Sequence, residues 1–159
     1  MSYQAAILTV SDSCAAWTRT DTSGPAIRAM LENAGFAVQA MQTVPDEEGQ
    51  ISAAIVHACD ILQADLVVTT GGTGLSPRDV TPEATLAVLD REIRAIPVAM
   101  WVEGLKSTPR AMLSRAVAGI RGHTLVLNVP GSEKAARENL RAVVATLDHA
   151  LRMLAGSGH

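Results

Sequence analysis

The chain reads as a single three-layer α/β domain, doubly wound, with a mostly parallel central sheet. Three observations carry this. Ala5–Val10, Leu66–Thr70 and Thr124–Val129 are short, almost unbroken apolar runs rich in β-branched residues, as in parallel strands covered on both faces. Between them lie segments whose apolar residues recur at helical spacing, and alternation of strands with helices implies a sheet wound by crossover connections. At 159 residues, without repeats, linkers or low-complexity tracts, the chain is one ordinary domain, able to bury roughly 70% of its unfolded surface. Residues 1–159 are taken together, with fraying expected over about 156–159.

In chain order, the first strand ends at Val10 and is followed at once by the polar Ser11-Asp12-Ser13. A polar loop leads to Gly24-Pro25, and Ile27, Met30 and Leu31 form a helical stripe that stops at Gly35. Phe36–Val44 alternates weakly, which predicts a second strand nearer an edge. Pro45-Asp46-Glu47-Glu48 opens a helix whose apolar positions are Ile51, Ala54, Ile55, Ala58 and Leu62. Asp46 has two readings here: an ordinary N-cap, or a functional carboxylate at a strand's carboxyl end.

Leu66–Thr70 runs into Gly71, Gly72 and Gly74, three glycines in four positions. A backbone without Cβ can take positive φ, approach a ligand closely and point its N–H groups at an anion. Thr81 offers a side-chain N-cap, Pro82 suits the first helical turn, and the helix is expected to continue through Leu86–Leu89. The order is strand, Gly-rich turn, helix, with Asp79 in the turn. On pattern alone this is either a tight turn without a ligand or a phosphate or nucleotide site. It is not a dinucleotide fingerprint, because Pro77 stands where the third glycine belongs, and no Gly-Lys-Ser/Thr follows for a P-loop.

Ile96–Leu105 is apolar and predicts a helix, with Met100 and Trp101 expected in the core or a subunit contact. Thr108-Pro109 repeats the cap-plus-proline start and predicts a further helix to Gly122-His123, with Met112, Leu113, Ala116 and Val117 facing inward. Thr124–Val129 is broken by Pro130-Gly131, and Ser132 caps a last helix to about Leu154. The loops after Val10, Val44, Thr70 and Val129 would then gather on one rim, at the strands' carboxyl ends where open α/β sheets bind ligands. That convergence joins Asp12, Asp46, Asp79 and Asn128 in one candidate site.

Hydrophobic residues are 48% of the chain and aromatics 3%, so Ala, Val, Leu, Ile and Met must build the core. No apolar run approaches the ~20 residues of a membrane span. Cys14 and Cys59 form no CxxC pattern and are expected to be unreactive, and His57, His123, His149 and His159 show no metal-ligand spacing. A soluble, cytoplasmic protein is expected. The net charge of −3 argues against nucleic-acid binding. Gly104–Ser132, however, carries Lys106, Arg110, Arg115 and Arg121 and no acid, either a solvated helix face or a phosphate pocket.

Taken together, Ile7–Asp12, Asp21-Thr-Ser-Gly-Pro25, Val44-Pro-Asp46, Thr70–Thr85, Met112-Leu-Ser-Arg115, Ala118–Gly122 and Leu127-Asn-Val-Pro-Gly131 resemble the molybdopterin adenylyltransferase family, that of the adenylating domain of gephyrin. The resemblance implies a homotrimer that uses ATP and Mg²⁺ to adenylate the terminal phosphate of molybdopterin, the product then passing to a molybdenum-insertion protein. It implies that Asp46 and Asp79 are catalytic and hold the metal. Ser11, Asp12, Gly71, Gly72, Thr73, Gly74, Asn128, Pro130 and Gly131 would bind nucleotide, and Ser114 and Arg115 the pterin phosphate. A non-catalytic pterin-binding homologue is the alternative, while an NAD(P) oxidoreductase is disfavoured by the missing third glycine. Glu133 departs from the proline many relatives carry after the Pro-Gly turn, placing an extra carboxylate near the pocket.

Overall fold

The computed structural model describes residues 2–157, and a six-stranded sheet of order β2-β1-β3-β6-β5-β4 forms its centre. The strands are β1 (Gln4–Val10), β2 (Ala37–Val44), β3 (Leu66–Thr70), β4 (Arg91–Glu92), β5 (Ala118–Arg121) and β6 (Thr124–Val129). The first three and β6 are mutually parallel, while β5 runs antiparallel to β6 and β4 antiparallel to β5. The helices are α1 (Asp12–Ala15), α2 (Ser23–Asn33), α3 (Glu48–Val56), α4 (Thr81–Leu86), α5 (Ala95–Leu105) and α6 (Glu133–Leu154). His57–Ile61 extends α3 as a π turn, and Pro109–Leu113 is a 3₁₀ turn.

The period of two along each strand explains the three layers. Ile7, Val68, Leu125 and Leu127 pack with α2, α5 and α6 on one face; Ala6, Leu8, Val67 and Val126 pack with α3 and α4 on the other. Both faces are dry, which is why the strands carry no polar alternation. The long α6 buries Ala136, Leu140, Val143, Leu147 and Leu151, one stripe at helical spacing, and Ser132 Oγ caps it by accepting from Ala135 N at 3.2 Å. As expected, β2 lies at an edge.

Two expectations need correction. Residues 108–122 do not form a helix with Met112 and Leu113 inward: after the 3₁₀ turn the chain extends into β5, and both side chains are exposed. The reason is local, since Gly122 at φ +58° and His123 make a two-residue hairpin loop that pairs Arg121 with Thr124. Second, α4 ends at Leu86, short of Leu89, and Thr81 is its first residue, preceded by Val80 with no side-chain cap. Met100 is in the core as expected and Trp101 is half-buried; the exposed apolar stripe on α5 is Val98, Val102 and Leu105. Gly156 and Ser157 lie beyond α6, whereas the fraying expected at residues 158–159, and His159 itself, fall outside the described residues.

Candidate functional site

The chain passes from β1 outward to β2 and then returns to β3 on the other side of β1, so the loops after β1 and β3 diverge and open a crevice. A cavity of about 480 Å³ fills it, lined by Ser11, Asp46, Gly71, Gly72, Thr73, Gly74, Asp79, Pro130 and Gly131 among others. Four strand-end loops meet there as the sequence predicts, tied by Ser11 N to Val44 O at 3.0 Å and Gly71 N to Val129 O at 3.1 Å.

The Gly-rich loop has steric reasons for its composition. Gly71 and Gly72 take φ +101° and +67°, and a Cβ on Gly71 would strike Val10 O, one on Gly72 Thr81 Oγ1. Instead of capping α4, Thr81 donates its hydroxyl to Gly71 O at 2.9 Å while its amide donates to Gly72 O at 3.1 Å. The helix start thus clamps the loop. Asp79 Oδ2 accepts from Ser76 N at 3.0 Å, which turns its carboxylate back under Gly74.

Asp46 is not an N-cap, for α3 is preceded by Glu47 and no side chain caps it. Asp46 and Asp12 instead bind each other's backbone: Asp12 N donates to Asp46 Oδ2 and Asp46 N to Asp12 Oδ1, both at 2.9 Å. Arg78 forks onto Asp12 at 2.9 and 3.0 Å and reaches Glu47 at 3.1 Å. Its guanidinium holds the Asp12 carboxyl below the usual range. Asp46 moves the other way, raised first by burial and further by the charges of Asp12 and Asp79. Asp12 is therefore a neighbour that positions Asp46 rather than part of the cavity wall.

A second cavity, of about 620 Å³, adjoins the first, and Gly74, Pro130 and Ser132 line both. Ser114 lines it, with Ser107, Arg110, Lys134 and Asn139. Arg110 and Lys134 make no ion pair among the described residues. The indole Nε1 of Trp101, on the same wall, is buried without a hydrogen-bond partner.

Besides Asp12, two predicted site residues lie outside both cavities. Asn128 is fully buried between sheet and α4, donating to Thr69 Oγ1 at 2.8 Å and Thr85 Oγ1 at 3.1 Å and accepting from Val117 N at 3.2 Å; it lines neither cavity. Arg115 lines neither cavity and instead braces the Gly-rich loop, donating to Gly74 O at 2.8 Å and Asp79 O at 2.7 Å and pairing with Glu83. The basic strip itself divides. Arg121 forks onto Asp60 at the opposite rim, and Lys106 pairs with Glu103 on α5. Glu133 turns to Arg137 at 3.2 Å and lines neither cavity. Cys59 is buried, its thiol pushed up to about 11 by burial, while Cys14 lines the first cavity.

Sequence reasoning missed the wall formed by Arg19, Thr20, Asp21, Thr22 and Ser23. Asp21 accepts from Thr9 Oγ1 at 2.8 Å and from Gly24 N at 3.0 Å, fastening α2 beside β1. The available signal was an aspartate three residues before a glycine that opens a helix. Trp17 lies in the loop between Cys14 and Arg19 and lines neither cavity. It is 94% exposed and has φ +61°, a backbone conformation costing a bulky residue about 1–2 kcal/mol.

A family model described as "Probable molybdopterin binding domain" matches residues 6–149. The chain is 40% identical over 149 residues to the molybdenum cofactor synthesis protein cinnamon of Drosophila melanogaster, covering 93% of this chain and 25% of that protein. It is 37% identical over 155 residues to a molybdopterin adenylyltransferase of Helicobacter pylori strain J99, covering 95% and 87%. The crystal structure of the molybdopterin biosynthesis enzyme MoaB of Thermus thermophilus superposes with a TM-score of 0.92 at 49% identity, covering 97% of each chain. The chain spans about a quarter to a half of the length of the longer curated relatives it matches.

Proposed function

Because the chain belongs to this molybdopterin-binding domain family, we propose that it is a molybdopterin adenylyltransferase, moving AMP from ATP to the terminal phosphate of molybdopterin in molybdenum cofactor biosynthesis. The observation that carries the reading is the pair of adjoining cavities that share Gly74, Pro130 and Ser132. Adenylyl transfer must bring two polyanions together, and one cavity offers Gly-loop amides and carboxylates while the other offers two unpaired cations and an aromatic wall.

In this reading ATP occupies the first cavity with its polyphosphate along Gly71–Gly74. Ser11, Pro130 and Gly131 shape that cavity, while Asp12 acts through Asp46. The pterin occupies the second, its ring against Trp101 and its phosphate drawn by Arg110, Lys134 and Ser114. Its phosphate oxygen attacks the α-phosphorus, one P–O bond forms, and the α–β bridging bond breaks to release pyrophosphate. The nucleophile is already ionised at neutral pH, so no strong general base is required. The N-terminus of α6, opened by Ser132, borders both cavities, and its free amides favour negative charge where the phosphates meet.

Asp46 and Asp79 would hold Mg²⁺. The residues present fit it: they are hard oxygen donors, and Asp46 is raised by burial and by neighbouring negative charge, the condition a bound cation relieves. Among the described residues no three His, Cys, Asp or Glu side chains form a complete cage. That suits an ion held by one or two carboxylates and by substrate phosphates. When bound, the ion supplies charge neutralisation on the polyphosphate.

The homotrimer implied by the resemblance remains the proposed assembly, and the exposed Val98, Val102 and Leu105 stripe gives an apolar face on which copies could meet. Among the described residues no helix is long and apolar enough to cross a membrane. We place the enzyme in the cytoplasm, handing its product to a molybdenum-insertion protein. The test is incubation with molybdopterin and Mg-ATP followed by mass analysis. Adenylylated pterin with equimolar pyrophosphate is expected, and bound pterin with no pyrophosphate would overturn the reading.

A further inference from the structure

The first cavity offers a flat heterocycle no aromatic face. Its wall is glycine backbone, hydroxyls, Asp21, Asp46, Asp79 and Arg19, with Val10, Cys14 and Pro130 as small apolar contacts, and no aromatic side chain lines it among the described residues. A nucleoside triphosphate brings a base as well as phosphates, and bases bind well on aromatic faces. One indole is carried by a segment whose two ends line the cavity. Trp17 lies in the short loop that joins Cys14 to Arg19, and both of those residues line the cavity.

Its conformation is unusual in two independent respects. At 94% exposure the ring packs against almost nothing, so its side-chain torsions are free. Its backbone, at φ +61°, sits where glycine or asparagine is at ease and a bulky ring is not. The loop around it is nevertheless tied down: Trp17 N donates to Cys14 O at 3.2 Å, and Thr18 N to Ser13 O at 2.9 Å. Folding alone would not select tryptophan at this position, and strained residues cluster where function uses them.

We propose that Trp17 folds over the mouth of the first cavity and stacks on the base of the bound nucleotide, making it the residue that favours purine over pyrimidine triphosphates. This rests on the adenylyl-transfer reading. Little backbone movement is needed, because Cys14 and Arg19 on either side of the loop already line the cavity.

The test compares wild type with Trp17→Gly by calorimetric titration against Mg-ATP, Mg-CTP and magnesium tripolyphosphate, the last presenting phosphates without a base. Trp17→Gly should lose roughly tenfold in Mg-ATP affinity, narrow the ATP-over-CTP preference and bind tripolyphosphate unchanged. Glycine accepts φ +61°, so its unfolding temperature should not fall. In a Trp101→Phe background, Trp17 is the sole tryptophan and saturating Mg-ATP should quench and blue-shift its emission. Unchanged Mg-ATP affinity in Trp17→Gly, an equal loss for tripolyphosphate, or unaltered Trp17 emission would each overturn the proposal. A wild-type protein that takes up tripolyphosphate and molybdopterin but shows no preference for any base would overturn it while leaving the phosphate site standing. A wild type that binds no Mg-ATP at all would overturn the adenylyl-transfer reading with it.

Discussion

Replacing Arg115 by alanine should loosen the Gly-rich loop, lower the stability of the fold and weaken nucleotide binding more than pterin binding. The guanidinium makes charge-assisted bonds to Gly74 O at 2.8 Å and Asp79 O at 2.7 Å, each worth about 1.5–3 kcal/mol. Its ion pair with Glu83 involves side chains 37% and 47% exposed and adds at most about 1 kcal/mol. These bonds share one group, and water replaces part of what is lost, so a combined loss of about 2–4 kcal/mol is expected rather than the sum. In a chain of this length each kcal/mol lowers the unfolding midpoint by about 2–4 °C, giving a fall of roughly 5–15 °C. The backbone bond from Arg115 N to Thr73 O at 2.8 Å survives the substitution. The loop should therefore stay attached at one point and lose its alignment at Gly74 and Asp79. Urea denaturation and separate titrations with Mg-ATP and molybdopterin read the three effects. Mg-ATP affinity should drop about tenfold, and Arg115→Lys should recover only a minor part, since an ammonium cannot fork across two carbonyls and a carboxylate. Unchanged stability and nucleotide affinity, with pterin affinity alone lost, would refute this reasoning and make Arg115 a direct pterin-phosphate ligand.

Asp46→Asn should lose on the order of 10²-fold in turnover while becoming at least as stable as wild type at neutral pH. Burial and the charges of Asp12 and Asp79 raise the folded carboxyl above 3.8, so its stabilising neutral form is complete below that value and lost as pH rises through the folded one. The stability difference between variant and wild type, from denaturation at several pH values, should therefore grow from near zero in acid, below the ordinary carboxylate range, to a plateau by neutrality. Asn128→Ala strands Val117 N and the Thr69 hydroxyl inside the sheet–helix packing, while the Thr85 hydroxyl keeps its bond to Thr81 O at 2.7 Å, and should cost about 2–4 kcal/mol in urea denaturation, with Mg-ATP affinity of the folded protein unchanged. Light scattering at micromolar concentration should give the mass of three chains; a monomer mass would contradict the proposed assembly.

The layered fold was legible because it rests on period. Apolar runs at Ala5–Val10, Leu66–Thr70 and Thr124–Val129 have one physical use in a chain of this size, burial between two helical layers, and each became a central strand. The failure at 108–122 is equally physical. Thr108-Pro109 does begin a turn, but apolar residues such as Ala116, Val117 and Ala118 are buried whether the chain coils or extends. The choice was made by partners distant in sequence: β6 offered an open edge, and Gly122 let the chain double back onto it.

The sequence by itself determined which loops would meet, since parallel strands put all their carboxyl ends on one rim and thereby brought Asp46, Asp79 and the glycines together. The tertiary structure alone decided what each side chain does there. Asp46 had the sequence context of a helix cap, yet its carboxylate faces Asp12; Arg115 had that of a phosphate ligand, yet it grips Gly74 and Asp79; Asn128 stood at a strand's end, yet its side chain points into the packing beneath α4. Backbone direction follows from local periodicity and turn chemistry, which neighbours in sequence set. A polar side chain goes to whichever donor or acceptor is unsatisfied within reach, and for Asn128 those partners include Thr69, 59 residues away in the chain, and Thr85, 43 residues away.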